Sequence, residues 1–148
     1  MDVLGGILLV EDDRKDVELP LTALDEVVVA TDGEQALEYL YYRGKFMRRA
    51  PSNPAILLLD LKLPTIDGLE ILQQIENDEK LKMIPVVVLT SSREEKDMVA
   101  SYKLGVNAYV VKPVDFHEFV NAIKELGGFL SSYQRVSGRE RRKALKKP

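Results

Sequence analysis

The chain has 148 residues, 45% hydrophobic and 30% charged, with a formal net charge of −3, no cysteine and a single histidine, His117. That length suits one domain with a real core rather than two of ordinary size, and the composition is globular rather than disordered. Disulfide frameworks, thiolate zinc sites and His-rich metal clusters are excluded, no apolar run approaches the roughly 20 residues that cross a bilayer, and the first residues lack a signal-peptide pattern, so a cytoplasmic protein is expected.

Five short apolar runs are read as strands: Gly6 to Val10, the weaker Glu26 to Ala30, Ala55 to Leu59, Pro85 to Leu89, and Ala108 to Val111. They are continuous rather than alternating, as expected of parallel strands covered on both faces. Segments of helical period come between and after them. Ala36, Leu37, Leu40 and Tyr41 follow Asp32-Gly33; Leu69, Leu72 and Ile75 follow Asp67-Gly68; Phe116, Phe119, Val120, Ile123 and Leu126 follow Asp115. Spacings of three and four place each set on one helix face. Ser92 with Glu95 fits a capping box, Asp67 with Glu70 and Asp115 with Glu118 are carboxylate versions of it, and Gly105 is the expected stop of the helix that begins near Arg93. The alternation of strand and helix implies an α/β fold, a doubly wound parallel sheet of five strands with five helices on its two faces.

The last eighteen residues hold seven Lys/Arg against one acid, Glu140, which leaves a tail of +6 on a body of −9. The tail has one tyrosine and no recognised nucleic-acid reading motif, so a solvated or dimer-contacting extension is expected, without nucleic acid or membrane as partner. The expected division is a domain over residues 1–130 and a basic C-terminal extension over residues 131–148.

In an open parallel sheet the site lies beyond the carboxyl ends of the strands. Those ends read Glu11-Asp12-Asp13, Asp60, Thr90-Ser91 and Lys112-Pro113. Carboxylates converging from the first and third strands are costly unless a cation lies between them, and a hard ion such as magnesium fits an oxygen site that also admits water and phosphate. Taken singly, acids after a strand are often helix caps, a threonine is usually structural, and Lys-Pro is a common loop dipeptide. Their joint occurrence, each at a strand end, carries the functional reading.

Leu9-Val10-Glu11-Asp12-Asp13, Leu58-Leu59-Asp60-Leu61-Lys62-Leu63-Pro64 with Asp67-Gly68, Leu89-Thr90-Ser91, and Tyr109-Val110-Val111-Lys112-Pro113 occur in an order that resembles the response-regulator receiver family of two-component signalling. The resemblance covers roughly residues 5 to 130. It implies the flavodoxin-like strand order 2-1-3-4-5. It also implies that Asp60 is the phosphoacceptor, that Glu11, Asp12, Asp60 and the backbone carbonyl of Lys62 hold Mg2+, with Asp12 direct and Glu11 acting mainly through water, and that Thr90 and Lys112 contact the phosphoryl oxygens. Thr90 and Tyr109 would form the switch. The chain would be a phosphoacceptor switch rather than an enzyme, catalysing its own metal-dependent phosphorylation and dephosphorylation, with a sensor histidine kinase as donor.

The longer second crossover, Tyr39 to Pro54, the sequence Asp60-Leu61-Lys62-Leu63-Pro64 and the expected lack of an output domain resemble stand-alone regulators paired with phytochrome-type histidine kinases. By the same resemblance, a homodimer is expected through the fourth helix, fifth strand and fifth helix together with the extension, where Phe129, Leu130, Tyr133 and Val136 offer apolar contacts. Two features depart from the family. Pro20 falls inside the expected first helix, and only Asp25-Glu26 separate Leu24 from the second strand, so that helix is short and distorted or a loop is missing from the connection.

The same residues bear on three rival readings. A haloacid-dehalogenase-type hydrolase needs a second aspartate where Lys62 stands. A dinucleotide-binding domain needs a glycine-rich loop where Glu11-Asp12-Asp13 stands. A receiver fold that never takes phosphate has no need of the full set Glu11, Asp12, Asp60, Thr90 and Lys112.

Overall fold

The computed structural model describes residues 6–13, 16–18 and 27–124. Five strands, β1 (Ile7–Val10), β2 (Val27–Ala30), β3 (Ile56–Asp60), β4 (Val86–Thr90) and β5 (Ala108–Val111), form one parallel sheet in the order β2-β1-β3-β4-β5. Among the described residues there are four α-helices, α1 (Gly33–Leu40), α2 (Gly68–Glu76), α3 (Arg93–Ala100) and α4 (Phe116–Lys124), and two 3-10 turns, Gly44–Phe46 and Leu81–Met83. This is the expected flavodoxin-like sheet. The first of the five expected helices, with Pro20, lies outside the described residues, as do Leu126, the extension and its apolar residues.

Successive residues of a strand point to opposite faces, and both faces here are apolar. Leu8 and Val10, Leu57 and Leu59, and Val86 and Val88 pack with Ala36, Leu37, Leu40, Ile71, Leu72, Ile75 and Val99 of α1, α2 and α3. Ile7 and Leu9, Ile56 and Leu58, and Val87 and Leu89 pack on the other face with Phe119 and Ala122 of α4 and with Val17. Continuous apolar strands are therefore a consequence of double coverage. Each interior strand is buried along its whole length, whereas the edge strands β2 and β5 are partly exposed.

Helix starts follow the expected caps. The N–H groups of Glu70, Glu95 and Glu118 donate to Asp67 Oδ1 (3.0 Å), Ser92 Oγ (3.1 Å) and Asp115 Oδ1 (2.8 Å), and Gln35 N–H donates to Asp32 Oδ1 (2.8 Å). The reciprocal arm of the Ser92 box is displaced by one residue, since Glu95 Oε1 accepts from the N–H and hydroxyl of Ser91. One helix stops earlier than its glycine predicts. α3 ends at Ala100, where the Ser101 N–H donates to Asp97 O and Met98 O, its hydroxyl donates to Met98 O at 2.6 Å, and Lys103 turns the chain with φ of 53°. Gly105, also at positive φ, lies beyond the helix with a Glu76 carboxylate oxygen 2.7 Å from where its Cβ would be.

The aromatic stretch of the second crossover has a definite structure. The Arg49 guanidinium lies 3.8 Å from the Tyr39 ring centroid and 4.1 Å from that of Tyr42, and donates to the carbonyls of Tyr39 (2.7 Å) and Ser52 (2.9 Å). This clamp closes the extended crossover onto the end of α1, far from the strand ends that carry the acids.

Candidate functional site: an acidic pocket at the strand ends

β1 and β3 are neighbours in register, Val10 beside Leu59, so Glu11 and Asp60 emerge together at their carboxyl ends. Glu11 is wholly buried and Asp60 is 3% exposed, while Asp12 is exposed. Carboxylate oxygens of Glu11, Asp12 and Asp60 all lie within 4.8 Å of one another, a donor set suited to a hard divalent cation. The backbone holds these acids in place. Glu11 N–H donates to Ala30 O of β2 at 3.0 Å, Asp13 N–H donates to Glu11 Oε2 at 3.1 Å, and Lys62 N–H donates to Asp60 Oδ1 at 3.2 Å.

The Asp67-Gly68 pair has a steric reason. A Cβ on Gly68 would sit 2.5 Å from Asp60 O and 2.6 Å from Leu61 Cα, so only glycine lets α2 begin against the end of β3. Gly68 N–H then donates to Leu61 O at 2.8 Å. The intervening loop is pinned on its other side by α1: Gly33 N–H donates to Pro64 O, and Glu34 N–H donates to the hydroxyl of Thr65, which sits at φ of 67°.

Lys112 enters from the end of β5, its N–H donating to Thr90 O at 2.8 Å. Its Nζ donates to Asp60 Oδ2 at 3.0 Å and to both Glu11 oxygens at 3.3 Å, and it forms an ion pair with Asp16 Oδ2 at 3.6 Å. Burial works against the ammonium, but the hydrogen bond and charge of Asp60, then those of Glu11, outweigh it and hold Lys112 above its ordinary value. Glu11 is pushed up to about 7, by burial first and then by the negative charge of Asp60. Thr90 is wholly buried at the end of β4, and its hydroxyl has no hydrogen-bond partner.

The expected site residues Glu11, Asp12, Asp60 and Lys112 thus meet in one pocket, with Thr90 and Lys62 at neighbouring positions. Tyr109 stands apart, half-buried on the edge strand β5 beside Val88, packed against the helix-covered core with Lys96 Nζ 5.9 Å from its ring. Burial raises its hydroxyl. Asp16 is a site neighbour that sequence reading missed. It reaches Lys112 because residues 16–18 lie beside Val114, and no spacing rule links positions so far apart in the chain.

The profile of the response regulator receiver domain matches residues 7–124. The chain belongs to the response-regulator receiver family. Receivers similar to it include Response regulator Rcp1 from Synechocystis sp., 38% identical over 129 residues that span 83% of this chain and 86% of that protein. Among solved receivers, the bacteriophytochrome response regulator RtBRR superposes with a TM-score of 0.78 at 58% identity, covering 84% of this chain and 79% of that one. The Mn(2+)-bound form of Rcp1 superposes with a TM-score of 0.59 at 35% identity, covering 87% and 94%. This receiver is therefore a two-component signalling domain whose acid cluster fits a divalent cation. No described helix is long and apolar enough to cross a membrane.

Proposed function

We propose that this receiver is a phosphoacceptor switch in which Asp60 takes a phosphoryl group from a phosphohistidine of a sensor histidine kinase. The observation that carries the reading is the Lys112 ammonium 3.0 Å from a 3%-exposed Asp60, inside a cluster of three carboxylates. Carboxylates are nucleophiles at neutral pH, so no general base is required. The Asp60 oxygen forms a bond to phosphorus while the phosphorus–nitrogen bond breaks and the imidazole leaves with the electron pair. Hydrolysis later returns the carboxylate and inorganic phosphate.

Glu11, Asp12, Asp60 and the Lys62 carbonyl would hold the metal, with exposed Asp12 placed for direct ligation and buried Glu11 set behind it. Magnesium, when bound, supplies charge neutralisation for the phosphoryl oxygens. Lys112 offsets the remaining charge, and the unpartnered Thr90 hydroxyl donates to a phosphoryl oxygen. That new bond draws on Thr90 at the end of β4, and Tyr109 on the adjoining strand is the group placed to follow it.

The relatives named for bacteriophytochromes support a phytochrome-type kinase as the donor. Exposed Met98 on α3, Tyr102 just beyond it, Val111 on β5 and Phe116 on α4 support a homodimer through that face. The domain would span residues 1–130 and the basic extension residues 131–148. Sedimentation that finds only monomer, with and without a phosphoryl mimic, would remove the dimer.

The central test is incubation with magnesium and a small phosphodonor, read as added mass on the intact protein. Wild type gains one phosphoryl group and Asp60→Asn gains none. An unlabelled wild type, or equal labelling of the two proteins, overturns the reading.

A further inference from the structure

Lys112 has three donor hydrogens, and it faces four carboxylate oxygens: one of Asp60, two of Glu11 and one of Asp16. Asp60 and Glu11 belong to the cation cluster. Asp16 does not, and its side chain is 43% exposed. The backbone fixes its position: Val114 N–H donates to Asp16 O at 2.7 Å, Glu18 N–H donates to Val114 O at 2.6 Å, and Val17 bridges Val114 in parallel. The segment after the acidic pair is thus clasped to the loop that carries Lys112, and it presents a carboxylate on the outer side of the ammonium.

We propose that Asp16 restrains Lys112 from outside the site, competing with the phosphoryl group for the ammonium and so weakening the phosphorylated state. The inference rests on the phosphoacceptor reading. Lys112 is already oriented by two buried carboxylates, so Asp16 adds nothing needed to aim it. A cation between Glu11, Asp12 and Asp60 offsets the pull of Glu11 and Asp60 on Lys112, while Asp16 keeps its own. An incoming phosphoryl oxygen must therefore draw the ammonium away from Asp16, and exposed pairs of this kind are worth little enough to be broken yet enough to measure.

The test uses the full chain, with Asp16→Asn and Asp16→Glu beside wild type. The clasp runs through the Asp16 main chain, so Asp16→Asn keeps the backbone bonds. Calorimetric titration of beryllofluoride in magnesium is expected to show about two- to fivefold tighter binding for Asp16→Asn. Magnesium affinity is expected to stay at the wild-type value, the phosphoryl lifetime to lengthen by a similar factor, and Asp16→Glu to stay close to wild type. A purely structural role would move magnesium and beryllofluoride binding together. Equal or weaker beryllofluoride binding in Asp16→Asn, or a parallel change in magnesium affinity, overturns the inference while a labelled wild type leaves Asp60 as acceptor. A wild type that neither takes a phosphoryl group nor binds beryllofluoride overturns both.

Discussion

The interior strands β1, β3 and β4 and the edge strands β2 and β5 contribute different things to the pocket. Interior strands are buried throughout and end in Glu11, Asp60 and Thr90, polar groups held where the surrounding core leaves them almost no freedom. The edge strands are half-covered; β5 delivers Lys112 on a long side chain and carries Tyr109 at its partly open face. The two buried anions thus stand at interior strand ends, and the cation enters beside them from a partly exposed edge strand.

The largest effect that would break this division is Lys112→Ala. Without metal it leaves two buried carboxylates with no counter-charge, and the expected loss is about 3–5 kcal/mol by denaturant unfolding; a loss under about 1 kcal/mol would show that the pocket tolerates its anions unaided. Next, Leu58→Ala in the interior is expected to cost about 2–5 kcal/mol, against about 1 kcal/mol for Val28→Ala on the partly exposed β2. Equal costs would erase the distinction between interior and edge.

Glu11 gives a pH test of the same contrast. Its folded value of about 7 lies above its ordinary 4.5, so its contribution is fully present below pH 4.5 and is lost as pH rises through 7. In metal-free protein, thermal melts of wild type and Glu11→Gln are expected to diverge over that window, wild type losing up to about 3 kcal/mol more as pH rises, at about 1.4 kcal/mol per unit. Parallel pH profiles would mean that Lys112 fully offsets the buried charge. Smallest is Thr90→Ala. Its unpartnered hydroxyl contributes nothing to the unphosphorylated state, so stability is expected to change by under about 1 kcal/mol, whereas beryllofluoride binding weakens.

The strands, the helix caps and the polar residues at the strand ends are legible because each depends on a local pattern: an apolar run, the residue that follows it, and a cap three residues before its partner. The strand order and the meeting of Glu11, Asp12, Asp60 and Lys112 follow from the family resemblance, since alternation alone fits other doubly wound sheets. What escaped depends on side-chain and backbone contacts that no periodic pattern or cap spacing encodes. Asp16 meets Lys112 only through the bridge between Val17 and Val114, and the role of Arg49 needs two tyrosines that stack on it from the same crossover. The end of α3 was misplaced because serine and lysine closed the helix where glycine was expected, while Gly105 serves a different close approach.

Gly68 has a consequence for how mutational tolerance in this chain is interpreted. It offers no functional group and touches nothing that reacts, yet any side chain there pushes on the carbonyl of Asp60 and the Cα of Leu61. In a saturation screen scored by signalling, it would rank with the acids themselves, so intolerance to substitution would mark not only residues that do chemistry but also the empty space their geometry requires.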